Sequence, residues 1–196
     1  MELTNTATKL TNRFTSALVY ANQLHASQVR KGSNVPYISH LLSVAALVLE
    51  DGGDEDEAIA ALLHDAVEDQ GGAKTWAAIR DSFGEKVALI VDGCSDCDVI
   101  PKPPWRDRKL QYLEKMHGAS TAIQRVSMAD KVHNARSILA DWHREKDAVW
   151  SKFKGGKEGT LWFYQAFLQL HQGKTDSYLA TELEWVVSQL LYVCQN

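Results

Sequence analysis

Cysteine is scarce in this chain: three residues in 196, at Cys94, Cys97 and Cys194. An odd, sparse set argues against a disulfide scaffold and fits a reducing cytoplasm. Long apolar runs are missing too. None approaches the ~18 residues of a membrane span, and the polar stretch 1–20 lacks the apolar core of a secretory signal. There is no excess of positive charge. The 21 Lys and Arg against 25 Asp and Glu give a formal net charge of −4, so nothing draws the whole molecule to nucleic acid or to an anionic membrane. An anionic ligand must be held by local cations. Strand-like alternation is rare, and no internal repeat, low-complexity tract or composition break divides the chain.

Helical periodicity is what remains. It predicts helices over residues 4–29 and 37–50, and a third with Asp54 as N-cap that runs through Asp69 to the Gly71-Gly72 pair. Further helices are expected over 75–83, from Gly84 to about Cys94, and over 105–117, 120–141, 143–153, 160–172 and 176–193. Residues 30–36, the proline-rich 98–104 and the glycine-rich 154–159 read as loops. The fold class is all-α, and residues 1–196 are expected to form a single compact multi-helix domain.

The most informative stretch is Ala61-Leu62-Leu63-His64-Asp65-Ala66-Val67-Glu68-Asp69. Four ionisable side chains in nine residues of an otherwise apolar helix are costly to bury unless something compensates them. A divalent cation with an activated water would do so. On an unbroken helix Glu68 lies four residues after His64 and Asp69 four after Asp65, so all four would line one wall of a cleft. His40, within Ser39-His40-Leu41-Leu42, and Asp130, between Met128 and Val132, are the distant candidates to complete a metal site. His40, His64, Asp65 and Asp130 make a mixed nitrogen and oxygen set. It suits Mn²⁺ or Fe²⁺ and could also take Zn²⁺ or Co²⁺. Only His117 lies between Asp65 and Asp130, too few histidines for a second metal. His25 and His133 are candidates to hydrogen-bond the ligands. Cys94 and Cys97 form a C-x-x-C without a second Cys or His pair, which leaves it without zinc-finger spacing.

The order His40, His64-Asp65, Asp130 resembles the H…HD…D pattern of HD-domain phosphohydrolases. The resemblance is closer to the hydrolase domain of RelA/SpoT-type proteins and to the small alarmone hydrolases of Mesh type. It rests on Gln28-Val29-Arg30-Lys31-Gly32, Pro36-Tyr37-Ile38-Ser39-His40, the stretch 60–69 and Met128-Ala129-Asp130-Lys131-Val132-His133-Asn134-Ala135-Arg136, and runs over roughly residues 8–190. It implies an all-α HD fold, one Mn²⁺ held by His40, His64, Asp65 and Asp130, and a small-molecule nucleotide substrate. The implied reaction removes the 3′-pyrophosphate of guanosine tetra- or pentaphosphate. It also implies Glu68 and Asp69 as the catalytic pair, with Arg30, Lys31 and Asn134 touching substrate. Hydrolysis alone is expected, since no length remains for a synthetase domain.

The chain departs from the family pattern at Leu41, Gln70, 92–97 and Ala135-Arg136-Ser137. These departures bear on the base pocket more than on the metal, so adenosine alarmones stand beside guanosine ones. Lys102, Arg106, Arg108 and Lys109 flank the proline-rich loop, and Lys154 and Lys157 occupy the glycine-rich one; Lys109 is the candidate phosphate contact among them. Tyr164 is a candidate pocket wall, although its aromatic spacing also fits core packing. Two other readings share the metal ligands. One is an HD phosphohydrolase of another nucleotide, of the 5′-nucleotidase or NADPH phosphatase type, and the other is a non-catalytic nucleotide-binding domain.

Overall fold

Past its first turn one helix is buried on every side, and four others enclose it. This is α3 (Glu55–Leu63), in which every residue from Glu57 to Leu63 is buried. A helix without a polar face must be surrounded. Here α1 (Asn12–Leu24), α2 (Ile38–Glu50), α6 (Glu85–Cys94) and α8 (Thr121–Glu145) enclose it. The computed structural model describes residues 8–96, 101–171 and 177–195. Its remaining elements are α4 (Ala66–Asp69), α5 (Gly72–Phe83), α7 (Trp105–His117), a 3₁₀ segment (Lys146–Lys152), α9 (Gly156–His171) and α10 (Tyr178–Gln195). Among the described residues the only extended pairing is an isolated bridge between Val29 and Pro36. The all-α class therefore stands.

The start of α3 is set by its own sequence. Asp54 accepts from Glu57 N at 2.9 Å, and Glu57 accepts from Asp54 N at 2.7 Å, a reciprocal capping box. Acidic Glu55, Asp56 and Glu57 fill the first turn, where the helix dipole favours them. Gly53 precedes the cap because nothing larger fits: a Cβ there would lie 2.8 Å from the Val48 carbonyl oxygen. Glu57 is buried but paired. Arg125 of α8 reaches it at 2.6 Å and reaches Asp51, beyond the end of α2, at 3.0 Å. That fork ties α8 to the α2–α3 corner and sets which residues of α8 face α3.

Several boundaries differ from those expected from spacing. The first helix begins at Asn12, with Thr11 as its N-cap, and ends at Leu24; residues 4–7 lie outside the described residues. It stops early because residues 29–36 close a turn, with Arg30 N bonding Val35 O at 2.8 Å and Tyr37 N bonding Gln28 O at 2.9 Å. The third helix does not run unbroken to Asp69: α3 ends at Leu63, and α4 restarts at Ala66. α8 continues past Asp141 to Glu145, so 146–152 forms a 3₁₀ segment in place of the α-helix expected over 143–153. α9 begins at Gly156, inside the expected glycine-rich loop. Its glycines serve packing: a Cβ at Gly155 or Gly159 would meet the Trp105 indole at 2.7 and 3.0 Å.

The capping box supports the helix that delivers the central site. Asp54→Ala is expected to lower folding stability by about 1 kcal/mol, the usual cost of losing an N-cap. The urea midpoint checks it, and an unchanged midpoint would contradict the capping role.

Candidate metal centre and its cleft

Four side chains from three distant segments meet at the end of α3. His40 comes from the first turn of α2 and is fully buried. That turn is placed by the closed loop before it, which hands the chain from Tyr37 into the helix. His64 and Asp65 sit at the break between α3 and α4. On a regular helix neighbours point about 100° apart. At the break Asp65 adopts φ −96° and ψ −5°, and its carboxylate lies 3.0 Å from His64 Nε2. Asp130 is buried in the middle of α8. His40 Nε2 lies 3.2 Å from Asp130 Oδ1 and 3.5 Å from Asp65 Oδ2, and His64 Nε2 lies 3.6 Å from Asp130 Oδ1. The donor atoms of His40, His64 and Asp65 all fall within 4.8 Å of one another.

The ring nitrogens show what this arrangement is suited to. His64 Nδ1 is bonded to the Ala61 carbonyl at 2.8 Å, and His40 Nδ1 to His133 Nδ1 at 2.8 Å. Both Nε2 atoms are buried, and neither makes a hydrogen bond to the described residues. An unpartnered buried nitrogen costs on the order of 1–3 kcal/mol. Two of them, aimed at two carboxylates, fit the donor set of a divalent cation with nitrogen and oxygen ligands.

Electrostatics point the same way. Burial alone would depress the His64 imidazole, but the carboxylates of Asp65 and Asp130 hold it well above its ordinary value. Burial would raise Asp65, and facing His64 holds it well below the usual carboxylate range. Burial would also raise Asp130, and Lys131 and the two imidazoles hold it well below. The field that draws a proton onto His64 would equally draw a metal cation. Around this centre the Tyr37 hydroxyl donates to Asp65 Oδ2 at 2.6 Å. Lys131 Nζ donates to Asp130 Oδ2, and Asn134 donates to Asp130 Oδ1. Burial, then the nearby His40, pushes the His133 imidazole down to about 4.

The centre opens into a cleft of about 710 Å³. Arg30, Lys31, Glu68, Lys109, Asn134 and Tyr164 all line it. Arg30 donates to Asn134 Oδ1 at 2.7 Å, and Lys31 Nζ sits 5.9 Å from the Phe153 ring centroid. Lys109 is bonded to Asp96 Oδ2 at 2.8 Å, an oxygen it shares with Arg108. Burial and the neighbouring Lys131 push its ammonium down. Tyr164 is only 4 % exposed yet contributes to the cleft wall.

The two residues expected to act as a catalytic pair part company. Glu68 faces the cleft and is ion-paired with Lys102 at 2.8 Å. Asp69 is exposed and is not among the residues lining the cleft; Gln28 donates to it at 2.8 Å, and Gln70 in turn donates to Gln28. Partial burial, together with nearby Asp65 and Glu68, raises its carboxyl above the ordinary range. The single wall expected of an unbroken helix is therefore corrected: the break after Leu63 turns α4 and separates Glu68 from Asp69. Of the cysteine pair, Cys94 borders the cleft beside Ser127, and Cys97 lies outside the described residues. Spacing alone missed Tyr37 and Lys131. Adjacency was the available signal for Lys131, since a cation next to a buried acid is its cheapest partner. Nothing local marks Tyr37, because its contact spans 28 residues.

A family model described as an HD domain matches residues 17–161. The chain is 37 % identical over 122 residues to a Xenopus tropicalis protein named guanosine-3′,5′-bis(diphosphate) 3′-pyrophosphohydrolase MESH1, which covers 61 % of this chain and 65 % of that one. It is 35 % identical over 123 residues to a probable GTP pyrophosphokinase of Mycobacterium leprae, covering 62 % of this chain and 15 % of that one. The chain thus spans less than two thirds of either relative. A solved structure, described as a metazoan ortholog of SpoT that hydrolyzes ppGpp, shares the fold with a TM-score of 0.75 at 24 % identity, over 93 % of this chain and 98 % of that one.

If the four donors share one cation, His64→Ala and Asp130→Ala should each fall from about one metal per chain to background after dialysis. Elemental analysis of folded variants reads this, and full occupancy in both would contradict the donor set.

Proposed function

The chain belongs to the HD domain family, and on that footing we propose that it hydrolyses the 3′-pyrophosphate of alarmone nucleotides, (p)ppGpp and its adenosine counterparts. The products are pyrophosphate and a nucleoside 5′-diphosphate or triphosphate. The observation that carries the reading is one cleft holding three things: buried nitrogen and carboxylate donors, an acid at Glu68 paired only with the exchangeable Lys102, and several cations. The printed name of the Xenopus relative supports the choice of substrate.

His40, His64, Asp65 and Asp130 would hold the ion, which we take to be Mn²⁺. When bound, it supplies Lewis-acid polarisation of a phosphoryl oxygen and lowers the pKa of water. The rest falls to the chain. Water attacks the phosphorus bonded to the 3′ oxygen, and that oxygen leaves and takes up a proton. Glu68 is the side chain in the cleft able to orient and deprotonate the water, then return the proton to the leaving oxygen. Its partner Lys102 is also a phosphate-seeking cation, so the incoming substrate competes for Lys102 and releases the Glu68 carboxylate. Asp69 acts from outside the cleft, orienting α4 through Gln28 and Gln70. Arg30 and Lys31 form one cationic wall and Lys109 the other, and Asn134 links Arg30 to the Asp130 carboxylate. Tyr164 closes the apolar side of the pocket. No described helix is long and apolar enough to cross a membrane. We place the reaction in the cytoplasm, in keeping with the free thiols of Cys94 and Cys194.

Metal-loaded protein incubated with ppGpp, pppGpp, ppApp and pppApp is expected to release pyrophosphate, read by phosphorus NMR. Release of inorganic phosphate instead, from 5′-monophosphates or NADPH, would move the chain to another branch of HD phosphohydrolases. Pyrophosphate from none of the four would refute the reading. Glu68→Gln is expected to keep its metal while losing about 10²–10⁴-fold in kcat, the usual span for a lost acid–base group. An unchanged kcat would remove Glu68 from the chemistry.

A further inference from the structure

The two imidazoles at the centre are held from behind in different ways. His64 uses a backbone carbonyl, that of Ala61. His40 instead faces another imidazole: its Nδ1 lies 2.8 Å from His133 Nδ1, with ring centroids 4.8 Å apart. His133 lies three residues after Asp130 on α8, on the same face, and borders the cleft.

One proton sits between two ring nitrogens at this distance, and its owner can be deduced. His40 Nε2 points at Asp130 and Asp65 without a hydrogen bond. An imidazole that offers its Nε2 lone pair to a cation carries its proton on Nδ1. His40 is then the donor and His133 Nδ1 the acceptor, so His133 must be the neutral tautomer protonated on Nε2. We propose that His133 is the positioning residue that holds His40 in its cation-binding tautomer, through a neutral acceptor at Nδ1. This rests on the reading of His40 as a metal ligand.

Neutrality has a consequence. A carboxylate is a common acceptor behind a ligand histidine and raises its basicity. Here the centre already contains two carboxylates, Asp65 and Asp130, which balance a dication. The acceptors behind both histidines, the Ala61 carbonyl and His133 Nδ1, add no further charge. The acceptor is also defined by position. Nδ1 of histidine and Oδ1 of asparagine are the same number of bonds from the backbone, so Asn can place an acceptor where His133 places its own.

The test is Mn²⁺ affinity by calorimetry on the full chain, with circular dichroism confirming folding. His133→Leu should weaken binding about 10–100-fold, the usual effect of losing such a partner. His133→Asn should stay within about three-fold of wild type. Equal, strong losses in both variants would show that the ring matters only as packing and would overturn the proposal. So would undiminished binding in His133→Leu. A second reading does not depend on the variants: nitrogen-15 NMR of the zinc-loaded chain should show His133 protonated on Nε2, and protonation on Nδ1 would overturn it. His40→Ala separates the two levels. If it binds Mn²⁺ as tightly as wild type, the ligand assignment has failed rather than the role of His133.

Discussion

Two imidazoles and two carboxylates, three of them buried and Asp65 at the edge of the cleft, must share one point in space. That constraint governs the rest of the architecture. Asp65 and Asp130 approach His64 to 3.0 and 3.6 Å, distances at which charges in a poorly solvated site interact strongly. They are tolerable because both carboxylates are partnered. Tyr37 donates to the same Asp65 oxygen, Oδ2, that faces His64 and His40, whereas Lys131 takes Asp130 Oδ2 and leaves Asp130 Oδ1 to Asn134 and the ring nitrogens. Such a cluster weakens the fold unless a cation completes it. The apolar stretch 58–63 of α3 offsets the cost, since burying a leucine or isoleucine contributes roughly 1.5–3 kcal/mol and this helix buries Ile59, Leu62 and Leu63 completely.

The same economy extends into the cleft. Four of its cations are already engaged: Lys102 with Glu68, Lys109 and Arg108 with Asp96, and Arg30 with Asn134. These contacts hold long side chains in place, which reduces the entropy lost when a polyanion arrives. They also mean that phosphate binding exchanges partners rather than merely adding them. Glu68 is the residue most affected, because its partner is one of the cations a phosphate would take.

The positions of most helices could be read from the 3.6-residue spacing of apolar side chains. The His64-Asp65 and Glu68-Asp69 pairs stood out because ionisable groups are rare in an apolar run. Other features could not be read that way. Ala61 to Asp69 contains neither glycine nor proline, so nothing local announces the break after Leu63; it follows from the tertiary demand that His64 and Asp65 face one centre. Asp69 parts from Glu68 for the same reason. The start of α9 was hidden by the opposite signal. Gly155, Gly156 and Gly159 look like a loop, yet two of them are glycine because the Trp105 ring lies against them. Contacts such as Tyr37 with Asp65 and His40 with His133 join residues 28 and 93 positions apart, and no window of sequence contains them.

The most direct test is crystallographic. Crystals of the chain grown with Mn²⁺, measured at the manganese absorption edge, should show a single anomalous peak bounded by His40 Nε2, His64 Nε2 and the carboxylates of Asp65 and Asp130. No peak at that point, or a peak elsewhere with these four groups hydrogen-bonded only to one another, would contradict the shared-cation centre.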